Sequence, residues 1–124
     1  MTYADKVREQ LEMNINMALL DGYKWFSYKA VGGVWHRTLR RPGRHTTQFV
    51  SSKELNEPIA YSDVVWSIPS YSTVLVTARR VFYDLTKKQK CGIIKKVGLE
   101  CNDPMMLCEA IVETVGEKNG EPVA

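Results

Sequence analysis

The sequence has no long apolar run. No stretch approaches the roughly 20 consecutive apolar residues that a bilayer-spanning helix requires, and the N-terminus lacks the basic-then-apolar pattern of a secretory signal. We therefore expect a protein with no membrane partner and a cytoplasmic location.

Groups that carry common enzyme chemistry are also scarce. The two histidines, His36 and His45, lie in a strongly basic stretch, where neighbouring positive charges disfavour the protonated imidazole. The three cysteines form neither a CxxC pair nor a Cys/His cluster, and neither GxxxxGK[ST] nor GxGxxG occurs. We expect a protein that is not an enzyme and that holds no metal and no cofactor.

Acidic residues are rare in the middle of the chain. Residues 24–96 hold 14 of the 17 Lys and Arg residues but only four acids, which gives a formal charge of +10. Residues 1–23 hold two bases against four acids and residues 97–124 one against six, so the overall charge is only +3. A basic body between acidic ends predicts a polyanionic or acidic partner.

Amphipathic helices are predicted at both ends. In residues 2–20, apolar residues recur at spacings of three and four, and Gly22 can end the helix. Residues 104–115 show the same periodicity after a first-turn proline, Pro104. The Gly, Pro and charged residues of 117–124 predict a flexible tail.

Residues 24–98 have the composition of a β-rich body. Aromatic and β-branched residues flank Gly32-Gly33, which predicts a hairpin, and residues 46–50 can begin a third strand. Residues 73–98 predict two or three further strands. A helix from Val74 to Leu85 is the alternative, but six of its twelve residues are β-branched or aromatic.

Residues 51–72 predict a long loop, because serines and prolines interrupt every candidate element. Tyr61, Trp66 and Tyr71 lie among small polar residues and would suit a protein-binding surface. The alternative is a loop that folds back over the end of the barrel and buries these rings. A loop of this length is unusual in a compact domain, so the segment is either functional or contains an unrecognised element.

The order of elements predicts a single α+β domain over residues 1–116. The chain has room for one hydrophobic core. About five short antiparallel strands between two helices favour a small barrel or a curled sheet over parallel βαβ units.

Two stretches carry a resemblance to a known family. WFSYKAVGG (residues 25–33), the Arg-rich segment after it and VFYDL (residues 81–85) resemble small bacteriophage-encoded proteins with an SH3-like β-barrel. The resemblance covers roughly residues 22–99. It implies an SH3-like barrel between the two helices and a viral origin, hence the cytoplasm of a host cell, but no defined activity.

Basic side chains are the candidates for a binding surface. Guanidinium and ammonium groups neutralise phosphates, and exposed aromatic rings can stack on unpaired bases. The predicted contact residues are Arg37, Arg40, Arg41, Arg44, Lys87, Lys88 and Lys90. We expect a small binding protein whose basic β-rich body contacts nucleic acid through these side chains. A solvated rim of separate charges is the alternative.

Two other functions fit the same charge pattern. A viral inhibitor or adaptor could bind an acidic host protein, including one that itself handles nucleic acid. A homo-oligomer could pair the basic body of one copy with the acidic helices of another. The charges could also pair within one chain, with Glu109 and Glu113 covering part of the basic surface. The salt dependence of binding distinguishes a nucleic-acid partner from a protein partner, because phosphate-driven binding weakens steeply as the salt concentration rises.

Overall fold

The computed structural model describes residues 2–29, 32, 35–43, 50–51 and 68–118. The helices are α1 (Tyr3–Leu20), α2 (Leu75–Tyr83), α3 (Lys87–Val97) and α4 (Pro104–Lys118), and the strands are β1 (Lys24–Lys29), β2 (Trp35–Arg40) and β3 (Val50–Ser51). The chain forms two compact units, a helical unit (Met1–Met17 and Ser70–Ala124) and a β unit (Ala18–Pro69). The α+β class is confirmed. That the two units form a single domain stays a prediction.

Both terminal helices form where the sequence predicts them. The predicted helix 2–20 corresponds to α1, and the predicted helix 104–115 corresponds to α4. However, α4 continues past Gly116 to Lys118, because a glycine inside a helix costs only about 1 kcal/mol relative to alanine. The predicted tail therefore begins too early, and residues 119–124 lie outside the described residues.

Residues 73–98 are helical, so the strands predicted there are wrong. The alternative helix from Val74 to Leu85 corresponds to α2, and a second helix, α3, follows after a three-residue turn. A capping box starts α3: the Gln89 N–H donates to Thr86 Oγ1 (3.2 Å), and the Thr86 N–H donates to Gln89 Oε1 (3.0 Å). Strand propensity depends on context, and here the cap of α3 and the burial of Ala78 and Val81 on α2 favour helices.

The helical unit is built around α4. Both α2 and α3 pack against it, and α1 is tied to the segment before α2 by two hydrogen bonds. The Ser72 N–H donates to Asn14 Oδ1 (2.8 Å), and the Ser72 hydroxyl donates to the Gln10 carbonyl oxygen (3.2 Å). The buried apolar side chains of this unit are Ile15, Met17, Tyr71, Ala78, Val81, Ile93, Leu107, Cys108, Ala110 and Ile111. This packing fixes the orientation of α3.

The β unit contains an antiparallel sheet with the strand order β2-β1-β3. The predicted hairpin is confirmed: β1 pairs with β2 in the register from Lys24↔Arg40 to Lys29↔Trp35, and Gly32 between them has φ +99°. The third strand is described only as β3, and residues 46–49 lie outside the described residues. Since the last predicted strands are helices, the described strands form an open sheet rather than the predicted closed barrel.

One ring of the predicted loop is buried. Tyr71 is fully buried, so it is not part of an exposed binding surface, but it is buried in the helical unit rather than over the end of a barrel. Tyr61 and Trp66 lie outside the described residues.

Candidate nucleic-acid interface

Helix α3 carries the densest group of basic side chains in the helical unit. Its sequence, KKQKCGIIKKV, contains five lysines and no acid. Residues three or four positions apart share a face of a helix, so Lys87, Lys88 and Lys95 surround Cys91 on one face. All three lysines are exposed. We call Lys87, Lys88 and Lys95 the lysine face.

The opposite side of α3 holds the helix in place. Ile93 is fully buried, and α3 packs against α4. Lys96 Nζ lies 3.5 Å from Glu113 Oε1 of α4, which adds an ion pair between the two helices. The lysine face is thereby turned away from the helix that anchors it.

No described acidic side chain forms an ion pair with the lysine face. Within the part of the chain that the structure describes, Lys87, Lys88 and Lys95 have no ion-pair partner. The alternative in which Glu113 covers basic surface applies to Lys96, a direct neighbour of Lys95. Three positive charges are therefore available to an external anion.

The predicted contact residues include Lys87 and Lys88 but not Lys95. The strands predicted for residues 73–98 leave Lys87, Lys88 and Lys90 in a polar connection between two strands, where no helix face groups the lysines. In the helix, Lys90 is half-buried and shares a side with Ile93 and Ile94, whereas Lys95 joins Lys87 and Lys88. A helical period applied to residues 87–97 would have grouped them correctly.

Two arginines of the β unit, Arg37 and Arg41, contact side chains of their own unit. The Arg37 guanidinium carbon lies 4.9 Å from the centroid of the Trp25 ring, a cation–π contact across the sheet. Arg37 Nε is buried and has no hydrogen-bond partner among the described residues. Arg40 is exposed and lies opposite Lys24 in the sheet register. Arg37 therefore covers Trp25, which removes this face of the ring from stacking with a base.

Arg41 binds the turn that follows α1. Its Nη2 lies 3.1 Å from Asp21 Oδ2, and its Nη1 donates to the Asp21 carbonyl oxygen (3.2 Å). The guanidinium carbon also lies 4.9 Å from the centroid of the Tyr23 ring. The Asp21 side chain is only 8% exposed, so Arg41 compensates a largely buried carboxylate.

We expect Arg41→Gln to lower the free energy of unfolding by about 1–3 kcal/mol, because the nearly buried Asp21 carboxylate loses its charged donor. Urea unfolding measures the loss. Arg8→Gln is the matched control, since Arg8 is exposed on α1 and makes no contact of this kind within the described residues. Equal stability of the two variants would contradict a structural role for Arg41.

The predicted site residues lie in two groups. Lys87, Lys88 and Lys90 belong to the helical unit, and Arg37, Arg40 and Arg41 belong to the β unit. Arg44 lies outside the described residues. The convergence of the two groups on one surface stays a prediction.

No family model, curated protein or solved structure matches this chain. The resemblance to bacteriophage-encoded proteins with an SH3-like barrel therefore stays a prediction. Two further observations concern the described residues only. No three His, Cys, Asp or Glu side chains among them could hold a metal ion together, and none of the described helices is long and apolar enough to cross a membrane.

Proposed function

We propose that the protein binds nucleic acid through the lysine face of α3. The observation that carries this proposal is the grouping of three exposed lysines, unpaired within the described residues, on one side of a single helix. From Lys87 to Lys95 the helix rises about 12 Å, so the three ammonium groups can contact successive phosphates of a strand. Each contact releases counterions, which favours binding at low salt.

The packing of α3 supports the same proposal. A helix that is capped at Thr86, buried at Ile93 and paired through Lys96 has a fixed orientation before any ligand arrives. Binding to such a surface costs less ordering entropy than binding to a loop. The lysine side chains still lose rotamer freedom on binding, but the backbone of α3 is already ordered.

The sequence resemblance adds finer proposals. We propose a phage-type protein that acts in the host cytoplasm, with a curled or SH3-like sheet in its β unit. In this proposal the exposed Arg40 of the β unit is a separate contact residue for nucleic acid. The resemblance and the charge pattern of the sequence support these statements.

We expect the triple variant Lys87→Gln/Lys88→Gln/Lys95→Gln to bind a single-stranded oligonucleotide about 100-fold more weakly than wild type at about 0.1 M salt. The slope of log affinity against log salt should become shallower by about 2, since each lost phosphate contact on a single strand removes about 0.7. Fluorescence anisotropy of a labelled oligonucleotide, titrated at several salt concentrations, measures both quantities.

Adjacent lysines provide the control for this experiment. Lys95→Gln should reduce the slope by about 0.7, whereas Lys96→Gln removes the same charge from a residue paired with Glu113 and should leave the slope unchanged. An unchanged slope in the triple variant would contradict the proposal. If wild type binds no oligonucleotide but binds an acidic host protein with weak salt dependence, the inhibitor or adaptor function replaces it.

A further inference from the structure

A pocket of about 430 Å³ lies in the helical unit, between α2, α3 and the segment 98–102. Its volume is within the range of small-molecule sites. Gly98 ends α3 with φ +87°, a conformation that favours glycine, and this lets the chain turn away from the helix. Arg79 of α2 then holds the segment: its Nη2 donates to the Cys101 carbonyl oxygen (3.4 Å) and to Asn102 Oδ1 (3.2 Å).

One wall of the pocket is aromatic. Phe82 and Tyr83, at the end of α2, both line it, and their ring centroids lie 5.5 Å apart in an edge-to-face arrangement. Phe82 is half-buried, but Tyr83 is 64% exposed. Because the Tyr83 ring lines the pocket and is largely exposed, it offers a face on which a planar ring can stack.

The polar groups of the pocket suit an uncharged ligand. Arg79 and Glu100 both line it, so the lining holds one positive and one negative charge. The Asn102 amide and the Glu100 carboxylate can meet hydrogen-bond donors and acceptors on the edge of a planar ring. A phosphate group would gain little here, because the carboxylate of Glu100 cancels the attraction of Arg79.

The pocket and the lysine face adjoin each other on α3. Ile94, which lines the pocket, is seven residues from Lys87 and three residues from Cys91, so it lies beside the lysine face on the helix surface. A chain of phosphates on the lysine face would therefore bring its bases to the mouth of the pocket.

We propose that this pocket receives an unpaired nucleobase, stacked on Tyr83, from a single strand whose phosphates lie on the lysine face. This inference rests on the proposed nucleic-acid binding and adds its substrate class. In a duplex the bases are stacked and paired, so insertion of one costs extra energy. The protein should accordingly prefer single strands to duplexes of the same sequence.

The test compares two probes with the same number of phosphates: a short labelled oligothymidylate and an abasic oligodeoxynucleotide of equal length. We expect wild type to bind the oligothymidylate about 5- to 100-fold more tightly, the range of base–aromatic stacking. Tyr83→Ala should bind the oligothymidylate no better than the abasic probe, with unchanged affinity for the abasic probe. Tyr83→Phe keeps the ring and should keep the preference.

Tyr3→Ala is the matched control, because Tyr3 is 84% exposed in the same unit and does not line the pocket. It should behave as wild type. Equal affinity of wild type for both probes, with binding that still depends on Lys95, overturns the nucleobase site and leaves the proposed function intact. A preference for the oligothymidylate that remains in Tyr83→Ala also overturns the nucleobase site and leaves the proposed function intact. Absence of lysine-dependent binding to either probe overturns both proposals.

Discussion

Tyr71→Ala is expected to lower the free energy of unfolding by about 3–5 kcal/mol, the range for removal of a buried aromatic ring. Tyr71 is fully buried in the helical unit, and its carbonyl oxygen accepts a hydrogen bond from Cys108 Sγ (3.4 Å). Loss of the ring would leave a cavity beneath the turn at Ser72, whose N–H and hydroxyl bind α1. The substitution therefore weakens the attachment of α1 as well as the core.

Urea unfolding followed by the helical circular dichroism signal measures this effect, since Tyr71 lies in the helical unit. Tyr83→Ala is the control, because a ring that is 64% exposed should change stability by no more than about 0.5 kcal/mol. The same control establishes that Tyr83 variants are folded when their binding is measured. Similar losses in both variants would contradict the assignment of Tyr71 to the core.

Short-range sequence patterns correctly predicted two helices and one hairpin. The apolar spacing of residues 2–20 and 104–115 predicted α1 and α4, because burying one face of a helix requires that spacing. Gly32-Gly33 between strand-forming segments predicted the β1–β2 hairpin for a similar reason. In each case one local interaction is strong enough to determine the structure.

Residues 73–98 were mispredicted because composition was given more weight than spacing. Val74 to Leu85 is rich in β-branched and aromatic residues, but the buried Ala78 and Val81 are three residues apart, as on a helix face. The pair Thr86 and Gln89 is a helix-start signal that the sequence already contained. A helix that starts at this signal would have placed Lys95 on the same face as Lys87.

Whether a basic side chain is paired or exposed depends on contacts between residues far apart in the sequence, which no local pattern reveals. Arg41 meets Asp21 across 20 residues, and Arg79 meets Asn102 across 23. Composition predicted the basic body but could not separate Arg41, which supports a turn, from the exposed Lys95. The pocket was missed for the same reason, since Arg79 shapes it only after α2 and the 98–102 segment have come together.

Cys108 is expected to make the folded protein less stable at alkaline pH. Burial raises the pKa of its thiol from 9.0 to about 12, and the nearby charges of Glu109 and Asp103 contribute to the increase. Below pH 9 the thiol is protonated in both the folded and the unfolded chain, so its burial carries no ionisation cost. Above pH 9 the unfolded chain loses the proton while the folded chain keeps it.

The free energy of unfolding should therefore fall by about 1.4 kcal/mol per pH unit between pH 9 and about 12 on account of this one thiol. Every other ionisable group is the same in wild type and in Cys108→Ala. The difference in the free energy of unfolding between the two proteins, measured by urea unfolding at increasing pH, therefore gives the effect of the Cys108 thiol alone. Cys108→Ala should be the less stable protein at neutral pH because of the cavity, and it should lose its disadvantage as pH rises.

Thiol labelling tests the same burial independently. Cys108 is fully buried and Cys91 is exposed on the lysine face, so iodoacetamide should modify Cys91 in the native protein and Cys108 only after unfolding. Mass spectrometry locates the label. Parallel pH slopes for wild type and Cys108→Ala, together with labelling of native Cys108, would show that α4 is not packed as described. The helix that anchors α3 would then be misplaced, and the lysine face would lose its fixed orientation.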